Sequence, residues 1–512
     1  MRRRDRKRTV IKRVTLGLLG ISLLPLTPVA VSQAAENGKK TPDKIVLRVA
    51  NWEEYIDEGG WDEAIELEDE NHSVILGENS IVEDFEQWYW ATYGVQVEVE
   101  YSTYGNNEDL YNQLTLGNTM DLICPSEYIF MKLISEDRLQ PLSENFFDTG
   151  EENNYYIRGV SGYIKNIFDE NTIEGQPWSK FAAGYMWGTT GIVYNPQVIS
   201  EEEASHWKLL KDPKYKGQVT IKDNVRDSYF AALGILNEEE LLQDKLVKSA
   251  QRQQMMAKIM NRTDDQTVEA AEDTLKEIKK NAYSFESDSG KSDMVTGKVL
   301  ANYQWSGDAV YTMDQADVDD YTLCYAVPEE CTNIWFDGWV MLKDGIKGDP
   351  EKQQAAEAFI NFISRPDNVV RNMDYIGYTS VIAGGDSDLI FSYADWCYGT
   401  EEEEGTVEYP VGFFFSGDNS DQDYIITADA QQTNRQLYAQ YPPQDVLERT
   451  VVMQYFDREN NDKINQMWVN VRCFDLTSLT FADWGKIIFV AVAVIVGIVI
   501  FHRRDDVFRK RR

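Results

Sequence analysis

The residues best suited to chemistry lie in the run Thr332–Val340, which reads Thr-Asn-Ile-Trp-Phe-Asp-Gly-Trp-Val and holds one carboxylate, Asp337. Another tryptophan, Trp305, lies upstream of this run. A carboxylate buried among apolar side chains without a partner costs several kcal/mol, or its pKa rises. The run therefore predicts either a core strand whose aspartate caps a neighbouring helix, or a pocket in which indole faces and a carboxylate hold a cation.

The charge balance suits a cationic ligand. Acidic residues outnumber basic ones 86 to 50 in the 512 residues, and the net charge is −36. The basic residues crowd the two ends, so the middle of the chain is more acidic still. This balance argues against nucleic acid as a partner, although acidic surfaces also simply keep proteins soluble.

Catalytic and metal-binding motifs are scarce. The sequence holds three histidines, His72, His206 and His502, which removes most Ser-His-Asp, Cys-His and zinc arrangements. It contains no Gly-x-Ser-x-Gly, Walker-type loop or dinucleotide fingerprint. We expect a binding protein that is not an enzyme, with no cofactor and no metal.

Both ends carry targeting signals. Residues 1–35 combine a basic stretch, an apolar stretch and small residues at the cleavage spacing, which is typical of a secretory signal peptide or, if uncleaved, of an anchor. Residues 485–502 contain an apolar run that predicts a transmembrane helix, and the basic tail 503–512 follows. The positive-inside rule then predicts a cell-membrane protein with an extracytoplasmic ectodomain and a cytoplasmic C-terminus.

The cysteines allow one short disulfide. Five cysteines cannot all pair within an exported chain, but the spacing of Cys324 and Cys331 could close a bridge. No cysteine follows the signal as a lipid attachment site, so the terminal helix would do the tethering.

Strands and helices alternate along the ectodomain. Apolar periodicity predicts a strand at Ile45–Ala50, a helix from Ile81, a strand at Val95–Tyr101, a helix at Glu108–Leu114 and a strand from Asp121. Such alternation implies a parallel sheet with helices on both faces, with ligands at the carboxyl ends of the strands. The extended segment Tyr185–Asn195 could pass between two lobes, and a polar helix is expected near residues 247–261.

An ordered set of polar and aromatic motifs runs from about residue 46 to residue 472. The set consists of Asn51-Trp-x-x-Tyr55, Ser102-Thr-Tyr-Gly-x-Asn107, Asp121-Leu-x-x-Pro-Ser-x-Tyr128, Trp187-Gly-Thr-Thr190, Lys222-Asp-Asn-Val-Arg-Asp227, Trp305, Trp335-Phe-Asp337 and Ile376-Gly-Tyr378. Each motif is weak alone, but the set resembles the extracytoplasmic spermidine/putrescine-binding proteins of ABC importers.

The resemblance implies an α/β fold of the type II periplasmic-binding-protein kind, whose two lobes close on a linear polyamine. Each lobe would be a mixed sheet flanked by helices. Residues 45–189 with 337–383 would form lobe one, and residues 190–336 with 384–475 would form lobe two.

The resemblance also implies the ligand contacts. Six residues match the family's aromatic box around methylenes and ammonium groups: Trp52, Tyr55, Tyr128, Trp305, Trp335 and Tyr378. Asp337 matches the carboxylate that holds a terminal amine, Ser126 a polar contact, and Asp227 an acidic residue that binds an amine. Asn224 falls where a spermidine-binding member carries Asp, so that end should hold its amine less tightly. Gln454 aligns with a late polar contact.

Three features depart from the family. Residues 57–77 look like an insertion beside the pocket, residues 384–445 are longer and more acidic than expected, and the terminal membrane helix is foreign to freely diffusing members. The resemblance predicts a membrane-tethered protein that delivers polyamine to ABC permease subunits. Alternatives are a binding protein for another organic cation, such as a quaternary amine, and a surface sensor or adhesin on the same fold. The sequence does not distinguish spermidine from putrescine.

Overall fold

Two long strands form the centre of the molecule. The computed structural model describes residues 44–69, 71–402 and 404–473, so the predicted signal peptide and terminal helix lie outside the described residues. Strands β9 (Ala182–Tyr194) and β14 (Thr332–Leu342) are buried at every position and pair antiparallel with each other. They contain the extended segment and the aromatic run that the sequence singled out.

Eighteen strands are formed by the described residues. In chain order they are β1 Ile45–Trp52, β2 Ile65–Glu66, β3 Val74–Ile75, β4 Val97–Tyr104, β5 Leu122–Ile123, β6 Leu139–Gln140, β7 Thr172–Ile173, β8 Gln176–Pro177, β9, β10 Val219–Lys222, β11 Ser284–Glu286, β12 Ala301–Trp305, β13 Cys324–Ala326, β14, β15 Thr379–Ser380, β16 Thr406–Pro410, β17 Ile425–Asp429 and β18 Thr450–Val451.

Helices flank the strands along the whole described chain. The longer ones are Ile81–Tyr93, Asn107–Thr115, Glu127–Ser135, Gly162–Glu170, Val225–Leu236, Arg252–Met260, Asp265–Asn281, Ser306–Val318, Pro350–Ile363, Pro366–Ile376, Leu389–Tyr398 and Arg458–Arg472. The shorter ones are Tyr155–Gly159, Glu201–Ala204, Glu238–Leu241, Asp244–Val247, Gly290–Val295, Lys343–Ile346, Gly412–Phe415, Gln436–Gln440 and Gln444–Leu447. Single 3-10 turns cover Glu144–Phe147, Trp178–Lys180, Trp207–Lys211, Pro213–Tyr215, Gln422–Tyr424 and Ala430–Asn434.

The main sheet consists of two parallel blocks joined by the long strands. Its order is β11-β10-β12-β9-β14-β5-β1-β4. Strands β4, β1 and β5 are parallel on one side, and β12, β10 and β11 are parallel on the other. Strand β9 pairs antiparallel with β12 of one block, β14 pairs antiparallel with β5 of the other, and the two long strands pair with each other, so together they join the blocks. This is the mixed α/β arrangement of two lobes that the resemblance implied, whereas the alternation of elements alone predicted a parallel sheet.

Local sequence signals explain where key helices begin. Ser80 accepts a hydrogen bond from the N–H of Glu83, and the Glu83 carboxylate accepts from the N–H of Ser80, which forms a capping box at Ile81–Tyr93. Gly94 ends that helix in the left-handed conformation, at a φ of 68°. Asn106 caps the next helix through its side-chain oxygen.

The segment 57–77 is anchored by a buried ion pair. It forms the hairpin of β2 and β3. Arg371 donates from Nε to Asp57 Oδ2 over 2.8 Å and from Nη1 to Asp84 Oδ2 over 2.7 Å. Asp57 is fully buried and Arg371 is 4% exposed. The hairpin is therefore tied to the helix Pro366–Ile376.

Most buried apolar side chains of the segment 384–445 pack with the parallel block of β4, β1 and β5. Its buried apolar side chains, such as Ile390, Phe414 and Ile426, belong almost entirely to the hydrophobic cluster that also holds Leu47 and Leu122. The resemblance assigned this segment to lobe two. Its apolar packing joins it to the block of β4, β1 and β5, whereas Arg435 and Gln436 hydrogen-bond to Asp317 on the side of the other block.

Candidate ligand-binding site

Asp337 lies at an irregularity of the central strand pair. The register of β14 against β9 shifts between Asp337 and Gly338, and Tyr185 is the additional residue on β9. Asp337 is 6% exposed. Its Oδ1 accepts from Ser126 Oγ over 2.7 Å, and its Oδ2 accepts from the Tyr55 hydroxyl over 2.8 Å. The structure thus brings three of the residues named from the sequence into direct contact.

The electrostatics of Asp337 fit a cation-binding group. Burial raises its pKa to about 6, although the two hydroxyl hydrogen bonds act in the opposite direction. Among the described residues, no lysine, arginine or histidine forms an ion pair with this carboxylate. A buried carboxylate held only by hydroxyl groups is stabilised when an ammonium group approaches it.

Aromatic rings line up beside Asp337. The ring centroids of Tyr55 and Tyr378 are 5.5 Å apart, and those of Tyr378 and Trp335 are 5.4 Å apart, both at steep angles. The Trp335 indole N–H donates to the Thr189 carbonyl over 3.2 Å. Gly188 faces the same indole, and a Cβ there would collide with the ring. The close approach of backbone to ring fixes the orientation of Trp335.

A second buried carboxylate, Asp227, lies in the first turn of the helix Val225–Leu236. It is 6% exposed. Burial raises its pKa to about 6, against the influence of Lys222 and of a hydrogen bond with the Trp305 side chain. Asp227 and Trp305 therefore form a pair like that of Asp337 and its aromatic neighbours, contributed by the other parallel block.

Asn224 positions Asp227. Asn224 precedes the helix, and its Oδ1 accepts from the N–H of Arg226 over 2.8 Å and from that of Asp227 over 3.2 Å. The amide oxygen is thus used as a helix cap. The structure gives Asn224 a positioning contact, and direct contact of its side chain with a ligand stays a prediction.

Arg226 connects Tyr128 with Gln454. The guanidinium lies 5.1 Å from the ring centroid of Tyr128 and 4.0 Å from that of Phe456. Its Nη2 donates to the Gln454 carbonyl over 2.6 Å. Gln454 is brought to the site through its backbone, and Arg226 is a site residue that the sequence analysis did not name.

Trp52 is the last residue of β1 and lies apart from the contacts described above. It is half-buried, and its ring lies 5.1 Å from that of Tyr104. The other predicted residues divide into one set around Asp337 and another around Asp227. The Tyr378 hydroxyl donates to Asp308 Oδ1 over 2.9 Å, and Asp308 lies in the helix Ser306–Val318 that directly follows Trp305, so Tyr378 links the set around Asp337 with the segment that carries Trp305.

Glu127 is a second buried carboxyl beside Asp337 that the sequence analysis missed. It is 1% exposed, and its Oε2 accepts from the N–H of Phe336 over 3.0 Å. Burial raises its pKa to about 8. At neutral pH it is therefore mostly protonated, and Asp337 is the ionised member of the pair. The sequence signal was its position directly after Ser126, within the motif Asp121–Tyr128.

Two further expectations concern side chains outside the candidate site. The thiols of Cys324 and Cys331 are both buried and free, so the disulfide expected from their spacing is not formed. His206, Glu238 and Glu330 are the one group within the described ranges whose ligand atoms could surround a metal. His206 Nδ1 is 2.8 Å from Glu330 Oε1, and Lys208 Nζ is 2.6 Å from Glu238 Oε1, so the group also reads as an ion-pair cluster.

The sequence model of the family described as "Bacterial extracellular solute-binding protein" matches residues 80–388. The chain belongs to this family. A binding role without catalysis and an extracytoplasmic location, both predicted from the sequence, follow from this membership.

Curated relatives carry names that agree with the geometry. The spermidine/putrescine-binding periplasmic protein of Escherichia coli K12 is 26% identical over 288 residues, which cover 55% of this chain and 70% of the relative. The putrescine-binding periplasmic protein PotF of the same organism is 24% identical over 300 residues, which cover 56% of this chain and 71% of the relative.

Solved structures share the fold. The spermidine/putrescine ABC transporter substrate-binding protein PotD of Streptococcus pneumoniae superposes with a TM-score of 0.53 at 23% identity, covering 84% of this chain and 98% of that one. The Tp0655 (TpPotD) lipoprotein of Treponema pallidum gives 0.54 at 17% identity, with 83% and 99% coverage. In residues 44–69, 71–402 and 404–473, no helix combines the length and the apolar character needed to cross a membrane.

Proposed function

We propose that this protein captures a polyamine between two lobes and delivers it to the permease of an ABC importer. The main support for the proposal is the setting of Asp337, whose buried carboxylate accepts hydrogen bonds from two hydroxyls and is flanked by aromatic rings. An ammonium loses its hydration on binding, and charge-assisted hydrogen bonds together with aromatic faces offset that loss. The names of the relatives support the choice of polyamine.

The second carboxylate sets the form of the ligand. Asp227 supplies a second anionic partner on the other parallel block, with Trp305 beside it. Each methylene stacked on the rings between the two carboxylates would gain on the order of 0.8 kcal/mol. A linear molecule with an ammonium at each end satisfies both carboxylates, whereas a quaternary amine satisfies one.

The contact between Tyr378 and Asp308 supports a closing motion. We assign residues 45–189 and 337–383 to lobe one and residues 190–336 to lobe two, with a hinge where β9 and β14 pass between them. Most of residues 384–445 go with lobe one because of their apolar packing, and residues 450–473 go with lobe two. The Tyr378 hydroxyl and the Asp308 carboxylate then belong to opposite lobes and meet on closure.

The apolar run in residues 485–502 supports a further proposal, that the protein is tethered to the membrane beside its permease. The sequence carries this proposal, because a basic tail follows the run. Fractionation of cells that express the full chain and a version ending at residue 483 tests it. Recovery of the full chain in the soluble fraction would overturn the tether and leave the ligand proposal untouched.

Isothermal titration calorimetry tests the ligand. The protein is freed of co-purified amine by unfolding, washing and refolding, and is titrated with spermidine, putrescine and choline. We expect polyamine binding in the micromolar range or tighter, weakened about thirtyfold or more in Asp337→Asn, since a lost partner of a buried charge costs roughly 2–5 kcal/mol. Asp386→Asn removes a charge at a side chain that is 98% exposed, and should bind like the wild type.

The outcomes separate the candidate ligands. Binding of choline without polyamine would favour a quaternary amine. Binding of no amine at all would mean that the fold serves another ligand.

A further inference from the structure

Lys222 is a buried cation at the edge of the proposed site. It ends β10, and Glu286, its partner in the parallel register, ends β11. Trp305 ends the adjacent strand β12. The three side chains therefore lie together at the carboxyl ends of parallel strands, where such sheets bind ligands. Lys222 is 1% exposed, although a lysine ordinarily keeps its ammonium in water.

The surroundings of the Lys222 ammonium are those of a bound amine. Its Nζ lies 4.1 Å from the ring centroid of Trp305. It donates to the carbonyl of Ser287 over 3.2 Å, and it lies 3.4 Å from Glu286 Oε1 and 3.9 Å from Asp308 Oδ2. One aromatic face, one carbonyl and two carboxylates thus hold a cation that belongs to the protein itself.

The partners of this ammonium are fixed independently. Glu286 accepts from the N–H of Gly290 over 2.8 Å and from Asn302 Nδ2 over 2.9 Å. Asp308 accepts from the Tyr378 hydroxyl, and Lys291 Nζ lies 3.5 Å from Asp308 Oδ1. The carboxylates are thus oriented by other groups and present their charge to whatever cation stands at this point.

We propose that Lys222 takes the place of a third ligand ammonium, so that the site accepts a diamine and discriminates against a triamine. This inference rests on the proposed function, in which Asp337 and Asp227 each hold one ammonium. The charge of Lys222 compensates the carboxylates on the Trp305 side. A third ligand ammonium near this point would meet the like charge of Lys222, and like charges at short range repel strongly in a buried site.

The test compares ligands by calorimetry on the wild type and on Lys222→Met. The wild type should bind putrescine about tenfold or more tightly than spermidine. Lys222→Met removes the ammonium and keeps an unbranched apolar chain over Trp305. Its preference should reverse toward spermidine, because the third ammonium of spermidine can then occupy the vacated partners.

Lys222→Arg is the matched control, since it keeps the charge and should keep the preference for the diamine. If Lys222 only stabilised the fold, Lys222→Met would be less stable than the wild type, but its ratio of putrescine to spermidine affinity would be unchanged. If Lys222→Met folds poorly, its thermal shift with each amine gives the same comparison, and spermidine should stabilise it more than putrescine does.

The failures can be told apart. Spermidine binding by the wild type as tight as putrescine binding, or an unchanged ratio in Lys222→Met, would overturn the inference and leave the polyamine function standing. A wild type that binds neither amine would overturn the proposed function and, with it, the role of Lys222.

Discussion

Replacing Asp337 by asparagine should stabilise the ligand-free protein at neutral pH although it removes amine binding. The substitution keeps the shape of the side chain and deletes its charge. An amide in this position can still exchange hydrogen bonds with the hydroxyls of Ser126 and Tyr55, since a hydroxyl both donates and accepts. The main change is therefore the loss of a buried negative charge that has no protein cation beside it.

The magnitude follows from the pKa of Asp337. Burial raises it from the ordinary value of 3.8 to about 6 in the folded protein. The folded state thus binds the proton more tightly than the unfolded chain, and the stability contributed by this group falls as the pH rises from about 4 to about 6. A difference of about two pH units corresponds to about 3 kcal/mol above that window. Asparagine avoids this cost.

Differential scanning calorimetry of the ligand-free wild type and Asp337→Asn, from about pH 4 to pH 8, measures the effect. The melting temperatures should be similar near pH 4 and differ by roughly 3–6 °C at pH 7–8, with the variant higher. The exposed variant Asp386→Asn should follow the wild type. A variant less stable than the wild type at neutral pH, or a difference independent of pH, would refute the reasoning.

Three further expectations follow from the two site aspartates, from Tyr378 and from the Arg371–Asp57 ion pair. Polyamine affinity should fall below about pH 6, because burial raises the pKa of both site aspartates to about 6 and the protonated acids bind ammonium weakly; a titration series that is flat down to pH 5 would contradict this. Tyr378→Phe removes the 2.9 Å hydrogen bond to Asp308 but keeps the ring, so amine dissociation in stopped-flow measurements should be several-fold faster, whereas Tyr111→Phe, which removes the hydroxyl bond to Glu136, should leave it unchanged. Arg371→Met should lower the free energy of unfolding by about 3–5 kcal/mol because Asp57 is left charged and buried, and adding Asp57→Asn should recover part of the loss in urea titrations; equal stability of the single and double variants would show that the ion pair is not the cause.

The early elements could be predicted because their signals are local. The helix expected from Ile81 runs to Tyr93, and the one expected at Glu108–Leu114 covers Asn107–Thr115. Each has a capping residue beside an apolar period, and such signals do not depend on distant contacts. The alternation of these elements with strands predicted an α/β sheet, and the resemblance to a known family implied the two lobes.

Longer-range features were less accessible. The polar helix expected near residues 247–261 is divided into Asp244–Val247 and Arg252–Met260, and the long helix Asp265–Asn281 follows it. The helix boundaries are hard to predict in this polar region, because each short helix buries only a few apolar side chains. The placement of residues 384–445 depends in the same way on contacts that no local pattern encodes.

Part of the cluster around Asp337 was predicted at the level of residue types, and its role as a ligand site stays a prediction. The contacts of Asp337 with Tyr55 and Ser126 join residues far apart in sequence, and the resemblance of motifs indicated that they would meet. The ion-pair and capping roles of Lys222 and Asn224 were not predicted, because the same residue types serve equally as ligand contacts. Only the geometry shows that one is a buried cation and the other a helix cap.

The position of Asp337 joins stability to ligand choice. It lies at the register shift of β14 against β9, so the strands that cross between the lobes also carry the buried charge. The cost of that charge, about 3 kcal/mol from its raised pKa, is present in the ligand-free protein and is relieved when a cation binds. A neutral ligand of the same shape would leave the cost in place. The raised pKa of Asp337 therefore contributes to selectivity, because only a cationic ligand offsets the cost of the buried charge. As the pH falls toward about 4, the amine affinity should decrease while the stability of the ligand-free protein increases.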